Sequence, residues 1–165
     1  IARNRDWATN ETLFLADVKN APNSAKTNKA AAGIWIERGA QEENPERRIE
    51  DLERAIVYLR RAIEIYPDYA DAYLDLGMAY RLNGQSELAE SVWNRFFGLC
   101  PESPLGPTLH RYLADSYLDE GRRLASTGHP SEAARRFRAA LRILPGHPAA
   151  REALGQSQGA DSSGR

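Results

Sequence analysis

The run PERRIEDLERAIVYLRRAIEIY sets Ile49, Leu52, Ile56, Leu59 and Ile63 three or four residues apart, with charged side chains at most of the positions between. Residues at that spacing share one face of a helix, so the run predicts a single long amphipathic helix from Pro45 to Tyr66. Asn44 in front of it is a favoured cap, and Pro45 is a favoured first helical residue. Further along, DAYLDLGMAY places Tyr73, Leu76, Gly77 and Tyr80 on another predicted helix, and Gly84, Ala89 and Trp93 then fall in a turn and the helix after it.

These landmarks recur along the chain. Ala114 to His147 holds Tyr117, Gly121, Leu124, Gly128, Ala133, Phe137, Ala140 and Pro145, and Ala25 to Tyr69 holds Ala32, Trp35, Gly39, Ala55, Leu59, Ala62 and Pro67. The prolines that close the units, Pro22, Pro67, Pro101 and Pro145, are separated by 45, 34 and 44 residues. An excess of about eleven residues is about three helical turns, which lengthens a helix without rotating its apolar stripe. The first insertion is assigned to the second helix of the first unit. The second, PLGPTLHRYL, is assigned to the first helix of the third unit, from near Pro107 to before Gly128. The expected organisation is one domain over 1–155, with repeats at 25–69, 70–103 and 104–147. A helix over 6–21 would precede them as a truncated repeat or cap, and a cap helix at 148–157 would follow. Residues 156–165 are polar and small, the composition of a disordered tail.

Composition narrows the function classes. With 42% hydrophobic and 27% charged residues the chain reads as a soluble globular protein. Twenty-two Lys and Arg balance 23 Asp and Glu to a net charge of -1, which leaves no basic excess for nucleic acid. The single cysteine, Cys100, excludes an intrachain disulfide and a cysteine zinc cage. The longest apolar run, AAAGIWI, is far short of the roughly 20 residues of a membrane helix. The chain begins at Ile1 without a signal peptide, so a piece of a longer protein is expected. His110, His129 and His147 lie in separate segments without metal-ligand spacing, no glycine-rich phosphate loop occurs, and Cys100 has no evident base. No catalytic, cofactor-binding or metal-binding residue is assigned, and the fragment is not expected to be an enzyme.

From Ala70 to Ser103 the order of Tyr73, Leu76, Gly77, Tyr80, Ala89, Trp93 and Pro101 resembles the tetratricopeptide repeat, a unit of 34 residues. The resemblance extends from about Asp6 to Gly155. It implies an all-α fold, a right-handed superhelix of antiparallel helix hairpins (an α-solenoid) that binds protein or extended peptide in a concave groove lined by the first helix of each hairpin. The groove positions are then Asp71, Leu74, Asp75, Met78 and Arg81 in the central repeat, and Asp115, Leu118, Asp119 and Arg122 in the third. Asp71 and Asp75 stand four apart, as do Asp115 and Asp119, so each pair shares a helix face. Two explanations stay open: carboxylates that favour a helix start and keep a face solvated, or an acidic strip for a peptide carrying basic or hydroxyl groups. The cations and amides of the carboxylate clamp of chaperone adaptors are missing, as is the asparagine ladder of O-GlcNAc transferase repeats.

A narrower resemblance lies in RNRDWATNETLFLADVKNAPNSAKTNKAAAG, where R-N-x-D-W, T-L-F and P-N-S-A-K look like the junction between membrane part and repeats in TMTC-like proteins. Those proteins resemble protein O-mannosyltransferases, with their repeats on the extracytoplasmic side. The resemblance implies the soluble repeat domain of a membrane-anchored glycosyltransferase, its groove presenting acceptor polypeptide to a catalytic centre elsewhere. The alternative is a free-standing adaptor with no glycosyltransferase link; an independent enzyme ranks third.

Overall fold

In the computed structural model the described residues are 17, 18 and 20–162, with side chains described through residue 157. Local caps set the helix starts. Ser24 Oγ accepts from the Thr27 amide at 3.3 Å and opens α1 (Ala25–Gln41). Asn44 Oδ1 accepts from the amides of Glu46 and Arg47 at 3.0 and 3.1 Å and, with Pro45 behind it, opens α2 (Pro45–Ile65). Helices α3 (Ala70–Leu82) and α4 (Ser86–Leu99) follow, then α5 (Gly106–Ser126), α6 (Pro130–Ile143) and α7 (Pro148–Ser162). No strand occurs among the described residues.

The turns inside two hairpins are chemically identical. After α3, Gly84 adopts φ 71°, its amide donates to Arg81 O and the next amide, of Gln85, donates to Tyr80 O at 2.9 Å. After α5, Gly128 adopts φ 82°, with the same bonds from Gly128 to Ala125 O and from His129 to Leu124 O. This is the Schellman arrangement, and a left-handed residue at its centre is nearly free of cost only for glycine.

Where a single domain over 1–155 is expected, the chain divides into two compact units, Ile1–Pro101 and Glu102–Arg165. The boundary falls in the connection that carries Pro101 and Pro104, with Pro107 opening the helix beyond; proline has no amide hydrogen and cannot continue a helix. At the carboxyl end α7 runs on to Ser162 instead of giving way to a tail at residue 156. Local bonds carry it past that point: Gln156 Nε2 donates to Glu152 Oε1 at 3.2 Å and Ser157 Oγ to Leu154 O at 2.8 Å. Of the helix expected over 6–21, residues 6–16 and 19 lie outside the described residues; Val18 is buried.

In unit 1, Leu52, Ala55, Ile56, Leu59 and Ala62 of α2 are buried, as are Ala31, Ala32 and Trp35 of α1. Ile49, on the same predicted stripe, lies near the start of α2 and is 47% exposed. The α3–α4 hairpin closes on Trp93, which is fully buried and donates from Nε1 to Leu74 O at 3.0 Å. Gly77 makes that seat possible, because a Cβ there would fall on the indole ring. Unit 2 repeats the device: a Cβ on Gly121 would fall on the ring of Phe137, which packs in a cluster with Ala114, Tyr117, Leu118, Ala133, Ala140 and Ala150.

Substitution of Gly77 or Gly121 by alanine should therefore destabilise the chain by about 1–3 kcal/mol through overpacking. Gly33 has open space where its Cβ would stand, so Gly33→Ala should be neutral or stabilise by up to about 1 kcal/mol. Urea denaturation of the three variants checks the contrast, and equal effects at Gly33 and Gly77 would remove the close-approach explanation.

Candidate functional site

The face of α3 left over from packing carries Asp71, Leu74, Asp75, Met78 and Arg81. Asp71 is exposed and the other four are half-buried, while Ala72, Leu76, Gly77, Ala79 and Tyr80 point into the core. A helix from the preceding hairpin reaches this face. Lys29 Nζ of α1 lies 3.0 Å from Asp75 Oδ2, with the two side chains 32% and 27% exposed. Partial burial works to lower the pKa of Lys29, but the hydrogen bond and charge of Asp75, together with the fields of Asp71 and Tyr69, outweigh it and hold the ammonium above its ordinary 10.5. Asp75 is thus engaged between helices, whereas Asp71 stays at the surface within the field of Lys29. Arg81 folds back on its own helix, with Nε and Nη2 at 3.4 and 3.3 Å from Met78 Sδ.

Unit 2 handles the corresponding residues differently. Asp115 Oδ1 lies 2.9 Å from His147 Nε2, and His147 Nδ1 accepts from the Ala150 amide at 3.3 Å. Because Nδ1 accepts, the ring hydrogen of the neutral imidazole sits on Nε2 and is donated to Asp115, so one histidine caps α7 and ties it to α5. Asp119 remains outside, 76% exposed, with Arg122 Nη1 at 3.8 Å. Leu118, assigned to the groove from sequence, is only 4% exposed and belongs to the apolar cluster of unit 2. Ala153 and Leu154 of α7 pack against that same cluster, so α7 is what takes this leucine out of the candidate site. The four carboxylates fall two in each unit, and in each unit one is bridged to a neighbouring segment and one is left at the surface.

An arginine-over-aromatic arrangement in all three hairpins escaped sequence reading. Arg54 lies 4.8 Å over Trp35, Arg95 6.0 Å over Tyr73 and Arg136 6.0 Å over Tyr117, each arginine on the second helix and each ring on the first. Every one also meets a carboxylate: Asp51 at 3.2 Å, Asp68 at 3.1 Å and Glu120 at 3.2 Å. Asp51 is buried and receives Arg38 Nε at 2.8 Å as well. The three-residue spacing of Asp51 and Arg54 was visible in the sequence, but the ring each arginine covers is supplied by another helix. Among the described residues no three His, Cys, Asp or Glu side chains are grouped to hold a metal ion. No helix among them is long and apolar enough to cross a membrane.

Sequence profiles of the tetratricopeptide repeat match residues 58–91 and 118–158. The chain is 27% identical over 117 residues to the protein O-mannosyl-transferase TMTC3 of Homo sapiens, and to that of Mus musculus; the match covers 71% of this chain and 12% of each relative. This chain is therefore similar to a small part of those proteins. Among solved structures, a thermophilic tetratricopeptide-repeat protein of Thermus thermophilus superposes with a TM-score of 0.54 at 24% identity, covering 90% of this chain and 71% of that one. The all-α fold is accordingly of the tetratricopeptide solenoid class.

The Lys29–Asp75 bridge has a testable alkaline limit. A lysine pKa higher in the folded than in the unfolded chain gives stability that is fully present below about 10.4, the unfolded value, and is lost as pH rises through the folded one. The stability difference between the wild type and Lys29→Met should hold level from about pH 7 to 9.5 and shrink above about pH 10.5. With both side chains near the surface its size should be about 0.2–1 kcal/mol. Thermal unfolding across that range, with Asp75→Asn as the matched partner, reads it.

Proposed function

We propose that this tetratricopeptide-repeat chain is a protein-binding scaffold whose first helices offer faces for extended polypeptide, each unit by itself: in unit 1 Asp71 is the accessible recognition charge, and in unit 2 Asp119 and Arg122 are. The observation that carries this reading is the exposed side of α3, where Asp71 and Asp75 flank Leu74 and Met78 and one cation, Lys29, serves both carboxylates. That face suits a segment whose lysine, arginine or hydroxyl groups meet Asp71 while its backbone lies over Leu74 and Met78. Chemistry is not assigned to it: a helix-hairpin scaffold offers a recognition face, and the carboxylates here are engaged in bridges or open to water.

We further propose that the chain belongs to the extracytoplasmic region of a membrane-anchored protein of the O-mannosyltransferase kind, where the scaffold presents acceptor polypeptide to a catalytic part outside this sequence. The similarity to TMTC3 supports this reading, and so does the R-N-x-D-W run near Ile1. The coding sequence upstream of Ile1 is a direct test. A series of apolar spans is expected there, and a short soluble leader would instead favour a free-standing adaptor.

Binding tests the scaffold. An acetylated peptide of alternating serine and lysine should bind the chain more weakly as salt rises, and Asp71→Lys should weaken it by about fivefold or more. Asp75→Asn should have the smaller effect, since Lys29 already compensates that charge. Peptide affinity unchanged by Asp71→Lys would remove the acidic face as the recognition surface.

A further inference from the structure

Unit 2 contains a cleft of about 500 Å³ between α5, α6 and α7, within the range of small-ligand sites. Phe137 forms its buried floor with half-buried Ala149 and Ala153; Ala125, Arg122 and Glu152 stand exposed at its edge.

Its position in the repeat explains why it is open. Setting Leu154 and Gly155 of α7 against Leu76 and Gly77 of α3 brings the buried Ala150 onto the buried Ala72. Ala149, Glu152, Ala153 and Gln156 then take the places of Asp71, Leu74, Asp75 and Met78, and all four line the cleft. The cleft therefore lies on the same face of its hairpin as the candidate site of unit 1. In unit 1 the Lys29–Asp75 pair spans two first helices on that face. In unit 2 the place of Asp75 is held by Ala153 and that of Lys29 by the buried Leu118. Short apolar side chains stand where a charged pair would have crossed.

The geometry points to this cleft as a pocket for one large aliphatic side chain of an extended peptide, with a neighbouring acidic residue of that peptide engaging Arg122. The inference rests on the scaffold reading and adds a second, chemically different subsite to it. The apolar floor removes a leucine or methionine side chain from water, which is the main source of affinity at such a surface. Arg122 is 58% exposed and 3.8 Å from Asp119, beyond hydrogen-bond length, so its guanidinium can take a carboxylate bidentately. Glu152 on the opposite edge accepts from Gln156 Nε2 at 3.2 Å, which occupies part of its acceptor capacity.

The test uses the whole 165-residue chain and three acetylated, amidated hexapeptides in amide chemical-shift titrations. One carries a central leucine flanked by aspartates, one replaces that leucine with alanine, and one replaces the aspartates with lysines. The aspartate–leucine peptide should shift the amides of Ala125, Ala149 and Ala153 and bind about tenfold or more tightly than the alanine peptide. Ala125→Phe, a change at the exposed edge, should abolish that preference, and Arg122→Glu should reverse the choice between aspartate and lysine flanks. Equal affinity for the leucine and alanine peptides overturns the proposal, as does binding indifferent to both variants in correctly folded protein. Shifts confined to α1 and α3 also overturn it while leaving the acidic face of unit 1 standing; no shift with any of these peptides, together with no binding of the serine–lysine peptide, sinks both.

Discussion

The contact on which the α3–α4 and α5–α6 hairpins depend is the seating of one aromatic ring against a helix that has no side chain at that point. Trp93 lies where a Cβ of Gly77 would be, and Phe137 where a Cβ of Gly121 would be. Interiors are packed too densely to absorb an added methyl at such a point, and truncating a buried ring of this size costs about 3–5 kcal/mol. The contact also fixes which residues of α3 face outward. Trp93 donates to the carbonyl of Leu74, so the residue anchored from the inside is one whose half-buried side chain lies on the outer face. Rotating α3 to change that face would break the bond and unseat the ring together.

With hairpin geometry fixed in this way, the chemistry of each face depends on what the next helix supplies. Opposite Asp75 stands an ammonium; opposite the equivalent Ala153 stands a leucine already in the core. The Lys29–Asp75 pair is too exposed to contribute much stability, and its greater effect is on the charge of the face: it compensates Asp75 and leaves Asp71 at the surface. In unit 2 the place of Asp75 is taken by Ala153, which lines an apolar-floored cleft. The arginines over Trp35, Tyr73 and Tyr117 act differently, each placing a cation from the second helix over a ring of the first.

Features written in local sequence were legible. Asn44 and Pro45 start α2 at the expected residue, and the glycines at 84 and 128 end their helices because left-handed backbone selects them. The 34-residue spacing identified the repeat for the same reason, since each landmark serves the hairpin that contains it. What sequence reading missed depends on helices meeting. Leu118 occupies the same register as the half-buried Leu74 but belongs to a cluster against which Ala153 and Leu154 of α7 also pack. Asp75 and Asp115 read as helix-face acids, either solvated or open to a peptide, yet Lys29 and His147 reach them from other segments. The run after Gly155 has the composition of a tail, but side-chain bonds to the preceding turn carry the helix on. Proline at 101, 104 and 107 was counted as a repeat boundary plus an insertion, where it also marks the division into two compact units.

The same contrast separates the two kinds of face that packing leaves, each in its own unit. Attraction to a surface carboxylate such as Asp71 is electrostatic and weakens with salt, whereas the apolar floor formed by Phe137, Ala149 and Ala153 acts by removing carbon from water and carries no charge to screen. Single residues decide which kind a face becomes: Asp75 meets an ammonium from the neighbouring first helix, and the equivalent position of α7 is an alanine that lines a cleft. The hairpin beneath is the same in both cases, so the chemistry of a face can change without a change of fold.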